Sequence, residues 1–438
     1  MTSVFCNNSL ECNFLKMKIY KFGGASVKDA AGVQNVARIL KNGTDRPLVV
    51  VISAIGKTTN LLEQITKAYW EGDKSELEKS VNTLKQNHYN IAEELHSDTR
   101  ALRSTLDALF TELENALATP HSDNFDFEYD RIVSFGELLS TSLISSFLNF
   151  EGIKNRWFDA RKMIITDDNF REGKVDWERS CENIRKAIAT EAVGDEAQIF
   201  ITQGFIAGTE KRESVTLGRE GSDYSAAILA YALDAESVTI WKDVAGVLNA
   251  DPKFFPDAIK LDEINYEEAI ELSYYGATII HPKTLKPLQN KKIPLHVKSF
   301  FAPEASGTVI SASIQKNIIP SYIFKRNQIL ITIFPKDFSF IVVDNLSEIF
   351  GIIFSNKLKI NIMQSTALSF SICVDNVEGH TVPVIEALMK NYKVKYNNDI
   401  ELITIRNYTQ DIIDKVVQGR KIYLEQRSRT TLQFVVRR

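Results

Sequence analysis

Short runs of apolar, β-branched residues recur along the N-terminal part of the chain, at Lys18–Phe22, Leu48–Ile52, 198–202, 237–241 and 294–297, with helical stretches between them. Strand alternating with helix predicts an α/β unit built on a mainly parallel sheet. Several of these runs end in a loop of Gly, Ser, Thr or Asp that opens a helix, and in open α/β sheets that edge takes the ligands. Between residues 75 and 117 the rhythm changes: Leu77, Val81, Leu84, Ile91 and Leu95, then Leu102, Leu106, Leu109, Leu113 and Leu117, recur at helical spacing. This predicts a helical hairpin ended by Pro120. Such a hairpin is a packing layer or a lid, and packing is the favoured reading.

After Pro303 the elements become shorter. Residues 328–334 alternate, 346–356 read as helix, 360–365 and 368–374 as strands, 380–390 as helix, and Val394 opens a strand. A shorter copy follows, with strand 400–405, helix 409–418, and strands 421–426 and 431–436. Two βαββ-type units in tandem form an internal repeat, the second lacking its closing helix and strand.

Composition narrows the classes. At 438 residues two or three domains are expected, and 44% apolar with 25% charged residues exclude a disordered chain. No apolar run approaches the ~20 residues that span a bilayer, so no membrane association is expected. A formal net charge of -4 without a long Lys/Arg cluster argues against nucleic acid. The cysteines Cys6, Cys12, Cys181 and Cys373 are scattered, which fits a reducing, cytoplasmic compartment and offers no zinc site. No His-Glu-x-x-His occurs, and no metal ligands are assigned. Residues 1–16 lack the charged start and apolar stretch of a secretory signal. They are expected to be a disordered extension, with the functional start at Met17.

Candidate chemistry sits at the strand ends. Lys21-Phe22-Gly23-Gly24-Ala25-Ser26-Val27 runs from a strand-end lysine through two glycines into a helix. Amides of such a turn form an anion nest that the lysine can reach; a tight turn with a solvated lysine has the same pattern. In Thr216-Leu217-Gly218-Arg219-Glu220-Gly221-Ser222-Asp223, either Ser222 or Asp223 would cap the following helix in any protein. Arg219 adds a fork suited to a carboxylate or phosphate. Ser134-Phe135-Gly136-Glu137 opens a helix, and Ser53 and Thr59 follow the second strand; together they put a carboxylate and hydroxyls on the same edge. Trp241-Lys242-Asp243-Val244-Ala245-Gly246, continuing to Lys253, could hold a nucleotide, although a series of turns explains it as simply.

Taken in order, KFGGASV, SFGE, QGFIAG, LGREGSDYSAA, WKDVAGVLNADPK and ELSYYGATIIHPKTL resemble the aspartate kinases of the amino-acid kinase superfamily. The resemblance implies a carbamate-kinase-like α/β sandwich with a mainly parallel central sheet over residues 17–302, followed by an α+β, ferredoxin-like ACT region over 318–438. It implies ATP-dependent phosphorylation of the side-chain carboxylate of L-aspartate, with Mg2+ held mainly by ATP. By resemblance, Lys21 stabilises the transferring phosphoryl group and Asp223 orients that lysine. Arg219 grips the α-carboxylate and Glu137 receives the ammonium group, while Ser53, Thr59, Phe205 and Ser222 line the amino-acid pocket. Lys21, Gly23, Gly24, Ser26, Lys242, Asp243 and Lys253 fall at nucleotide-binding positions. The ACT region implies a homodimer or higher oligomer and an amino-acid effector, lysine or threonine.

Three positions depart from the family pattern: Glu220 adds a negative charge near the phosphates, and Leu248 and Thr278 stand where an aromatic and a lysine are expected. The rival readings are a kinase for another acid, such as glutamate, and a non-catalytic amino-acid sensor. The ACT-like tail and LGREGSD favour aspartate; the charged set Lys21, Glu137, Arg219 and Asp223 favours catalysis.

Overall fold

A strand with no polar residue on either face belongs in the middle of a layered sheet, and all five residues of Leu48–Ile52 are buried. In the computed structural model, which describes residues 17–42, 47–96, 98–192, 199–253, 255–277, 280–313, 319–337 and 339–437, this strand pairs in parallel with Lys18–Phe22 and Ile199–Gln203. The extension expected at residues 1–16 and Thr278 lie outside the described residues. Across the eight-stranded sheet the order is Arg156–Phe158, Ile199–Gln203, Leu48–Ile52, Lys18–Phe22, Ser237–Lys242, Leu295–Ser299, Thr308–Ser311 and Glu263–Asn265. Only Leu295–Ser299 against Thr308–Ser311 is antiparallel.

Lys18–Phe22 has Leu48–Ile52 on one side and Ser237–Lys242 on the other, so the chain leaves it in both directions. That is a topological switch point, where a crevice opens beyond the carboxyl ends of the strands. Phe22, Ile52 and Trp241 stand in one register row. The loops that begin at Gly23, Ser53 and Asp243 therefore emerge side by side.

The hairpin forms from Lys74–Leu95 and Arg100–Ala118, the first helix capped by Asp73, whose side chain accepts the Glu76 N–H. Leu84, Leu102, Leu106, Phe110 and Leu113 join the same apolar core as the sheet residues Leu48 and Ile52, so the hairpin is a packing layer. Phe125–Val133 and Phe135–Phe150 follow end to end. They make the one helical stretch among the described residues long and apolar enough to cross a bilayer, and 83% of its apolar window is buried in protein. The sequence reading counted no such run, because Glu128, Asp130 and Glu137 interrupt it.

Residue contacts divide the chain into two compact units: Met1–Val247 with Asp262–Ala269 and Ile280–Ile314, and Leu248–Leu261 with Ile270–Ile279 and Gln315–Arg438. Two segments that sequence reasoning placed before residue 302 thus belong with the C-terminal part. Within that second unit Asn249 accepts the Tyr322 N–H at 2.7 Å, and Phe255 stacks on Tyr322 with ring centroids 4.9 Å apart.

The second unit is built on one six-stranded antiparallel sheet, in the order Ile360–Ser365, Phe370–Asp375, Ser321–Pro335, Tyr392–Arg406, Thr431–Arg437 and Lys421–Arg427. Its two central strands are each 15 residues long and carry register shifts near their middles. Asn327 and Asp399 stand there at positive φ, a conformation these residue types tolerate. One half of each long strand serves each repeat. The second repeat therefore does not lack a strand, as expected above: Ser321 to Lys325, which precede the first repeat in the chain, pair with Leu402 to Arg406 and complete it.

Candidate active site

Lys21 ends its strand with its side chain turned toward the helix Gly221–Ala232, where Asp223 lies in the first turn. Lys21 Nζ is 2.6 Å from Asp223 Oδ1, and Lys242 Nζ, from the neighbouring strand, is 3.7 Å from Oδ2. Burial alone would raise the Asp223 carboxyl, but the two ammonium groups outweigh it and hold it below the usual carboxylate range. One acid thus fixes two cations, and the trio keeps a formal excess of one positive charge.

The loop beside it supplies donors. Ser26 N–H closes a turn onto the Gly23 carbonyl at 2.9 Å, and Gly56 N–H donates to the Gly24 carbonyl at 3.2 Å. The N–H groups of Gly23 and Gly24 donate to no acceptor among the described residues. A Cβ on Gly24 would lie 2.9 Å from the Ala54 carbonyl oxygen and 3.0 Å from that of Gly56. Only glycine lets these two loops approach so closely.

Glu137 lies in the first turn of Phe135–Phe150 and is 2% exposed. Its Oε1 accepts the Ala54 N–H at 3.2 Å, while Oε2 has no partner among the described residues. Burial pushes this carboxyl up to about 8, with the Ala54 N–H and the charge of Lys21 opposing the rise. An acid raised this far by burial, with one oxygen unsatisfied, can pair with a cationic ligand group once it gives up its proton. Ser53, whose carbonyl accepts Ser140 Oγ at 2.7 Å, and Thr59 are half-buried near by in sequence.

Phe205 holds a φ of 69°, an outlier for a bulky side chain. Its N–H donates to Ser225 Oγ at 3.0 Å and its carbonyl accepts the Leu217 N–H at 2.8 Å, which locks the conformation. Ser222 is buried in the first turn of the helix that carries Asp223. Arg219 is exposed and has no carboxylate partner among the described residues.

The remaining sequence candidates separate from this group. The Ser26 hydroxyl donates to the Trp241 carbonyl at 3.4 Å and is buried, so it ties the turn to the sheet. Asp243 is exposed on the bend after its strand. Lys253, exposed after Asp251, and Leu248 belong to the second unit. Glu220 turns to the N-terminus of Pro282–Lys291, where Oε2 accepts the His281 N–H at 2.9 Å. Its charge has a structural use there.

Sequence reasoning missed the supporting residues Asp130, Ser140 and Ser225. Asp130 is fully buried and accepts the N–H groups of Arg171 and Thr216 and the Thr216 hydroxyl at 2.7 to 2.8 Å. Asp130 is one of three carboxylates in Phe125–Val133, with Asp126 and Glu128, and nothing in the sequence set it apart from them.

The amino acid kinase family matches over residues 16–299. Aspartokinase 1, chloroplastic, of Arabidopsis thaliana is 32% identical over 364 residues, 82% of this chain and 63% of that protein, so the chain spans less than two thirds of this relative. Lysine-sensitive aspartokinase 3 of Escherichia coli is 31% identical over 364 residues, covering 82% of this chain and 78% of the relative. Solved structures of E. coli aspartokinase III, in complex with lysine and aspartate or with aspartate and ADP, are similar with TM-scores of 0.81 and 0.78, at 27% identity over 96% of both chains.

Proposed function

This chain belongs to the amino acid kinase family, among its aspartokinases, and from that premise we propose that it transfers the terminal phosphoryl group of ATP to the side-chain carboxylate of L-aspartate, giving 4-phospho-L-aspartate and ADP. The side chain of aspartate loses its proton near pH ~3.9 and is ionised at neutral pH, so the nucleophile needs no general base. What must be overcome is the repulsion between that anion and the polyphosphate. Positive charge and fixed donors at the strand ends supply this.

In this reading Lys21 holds the transferring group while the P–O bond to ADP breaks and the new one to aspartate forms. Asp223 orients Lys21, and the N–H groups of Gly23 and Gly24 take the phosphate oxygens. Arg219 takes the α-carboxylate, Glu137 the ammonium group, and Ser53, Thr59, Phe205 and Ser222 line the pocket. Lys242 and Asp243 serve the nucleotide, with Ser26 acting through the turn it closes. Asp223 is committed to two lysines. Mg2+ would therefore ride on the ATP oxygens and water, neutralising phosphate charge.

The same proposal assigns residues 17–302, apart from the two segments that group with the second unit, to catalysis and the ACT-like region 318–438 to sensing an amino acid, lysine or threonine, in a homodimer or higher oligomer. The lysine sensitivity in the name of the E. coli relative supports it. A cytoplasmic location is part of the reading and is supported by the free thiols of Cys181 and Cys373.

The observation that carries the proposal is the Lys21–Asp223–Lys242 trio beside two undonated amides. The test is phosphoryl transfer trapped as the hydroxamate, with aspartate and glutamate as competing acceptors and with lysine and threonine added as inhibitors. Aspartyl hydroxamate formed with ATP is expected. Turnover of glutamate but not aspartate would overturn the assignment.

A further inference from the structure

The two residues that would grip the ends of the amino acid lie on separate elements, Glu137 at the start of Phe135–Phe150 and Arg219 in the loop after Ser214–Thr216. Their spacing must be fixed by something, and one buried residue, Asp130, is bonded toward both, by its side chain to Thr216 and by its backbone carbonyl to Ser134. Asp130 accepts the Thr216 N–H on Oδ2 at 2.8 Å and the Thr216 hydroxyl on Oδ1 at 2.7 Å. Its Oδ2 also accepts the Arg171 N–H at 2.7 Å. From the other side, the Gly173 N–H donates to the Thr216 carbonyl at 3.1 Å. Gly218 stands at a φ of 74°, where a Cβ would lie 3.2 Å from the Arg171 carbonyl oxygen. The backbone of Asp130 completes the link, because its carbonyl accepts the Ser134 hydroxyl at 2.5 Å and the Ser134 N–H at 3.3 Å, one residue before the helix of Glu137.

We propose that Asp130 is the positioning residue of the amino-acid site, the clasp that sets the distance between Arg219 and Glu137. The inference rests on the aspartate kinase reading. A residue that served stability alone would not need to bond toward both elements, and three hydrogen bonds on one buried carboxylate leave it little freedom.

The test compares aspartate and ATP kinetics of the full chain and its variants. Asp130→Ala strands the buried Thr216 N–H and the partly buried Arg171 N–H and is expected to raise KM for aspartate about 10-fold or more, leaving KM for ATP within about 2-fold. Asp130→Asn is expected to restore aspartate KM, since its carbonyl oxygen can take the Oδ2 contacts and its amide can donate to the Thr216 hydroxyl. In an Arg219→Ala background, Asp130→Ala should add less than about 3-fold, because the group it positions is gone. Thr216→Val removes one bond without a cavity and should raise aspartate KM about 3-fold, and it decides the matter if Asp130→Ala does not fold. Unchanged aspartate KM in the folded variants, equal rises in both KM values, or full additivity with Arg219→Ala would overturn the inference while wild-type turnover stands. A wild-type chain without aspartate turnover removes the premise and the inference together.

Discussion

Aspartate binding should release a proton, and Glu137 is the source. Its carboxyl is pushed up to about 8 by burial, so at pH 7 it is about nine-tenths protonated. An ammonium group can pair only with the ionised form. Binding at pH 7 must therefore remove that proton, at a cost of about 1.4 kcal/mol, which weakens aspartate affinity about 10-fold relative to pH well above 8. Titration calorimetry at pH 7 in two buffers of different ionisation enthalpy should report about 0.9 proton released per aspartate bound, falling toward zero in Glu137→Gln. Folding stability gives the matching sign. The native carboxyl is raised above its ordinary 4.5, so between about 4.5 and 8 the folded chain holds a proton that the unfolded chain has lost. This contribution is full at pH below 4.5 and disappears as pH rises through 8. Aspartate affinity that is flat from pH 6 to 8, with no proton release, would refute the reasoning.

Lys21→Met should lower kcat about 100-fold or more with little change in KM for aspartate, as measured by the hydroxamate assay, since one oriented cation at the transferring group is lost. Arg219→Ala should weaken aspartate binding by about 2 kcal/mol, the lower end for a broken charge pair, because the guanidinium is exposed; isothermal titration reads this directly. Glu220→Gln should leave KM for ATP within about 2-fold, because the carboxylate faces the His281 N–H and a surface charge acts weakly at a distance. A large drop in that KM would mean the charge does reach the phosphates.

Much of this architecture could be read from spacing alone. The strands Lys18–Phe22 and Leu48–Ile52 kept their predicted bounds, and the hairpin appeared where apolar residues step by three and four, because burial imposes these periods directly. The C-terminal sheet was less legible. Periodicity shows which face of a strand is buried but not which strand lies beside it. Nothing in 321–325 announced that it would complete a repeat whose other strands come after residue 400. The candidate site divides along the same line. Lys21, Asp223 and Lys242 are drawn together by a sheet edge that motif reading could anticipate. Asp130 and Ser225 act through side-chain hydrogen bonds between segments distant in sequence, and those leave no pattern. Ser26 matched a nucleotide position, but its hydroxyl is turned to Trp241.

The most direct test of the central claim is a crystal structure of this chain with aspartate and a non-hydrolysable ATP analogue. The account predicts the γ-phosphate within hydrogen-bonding distance of Lys21 Nζ and the N–H groups of Gly23 and Gly24, with the aspartate held between Arg219 and Glu137. Either ligand bound away from the ends of the strands Lys18–Phe22 and Ser237–Lys242, or aspartate seated with its ammonium turned from Glu137, would contradict it.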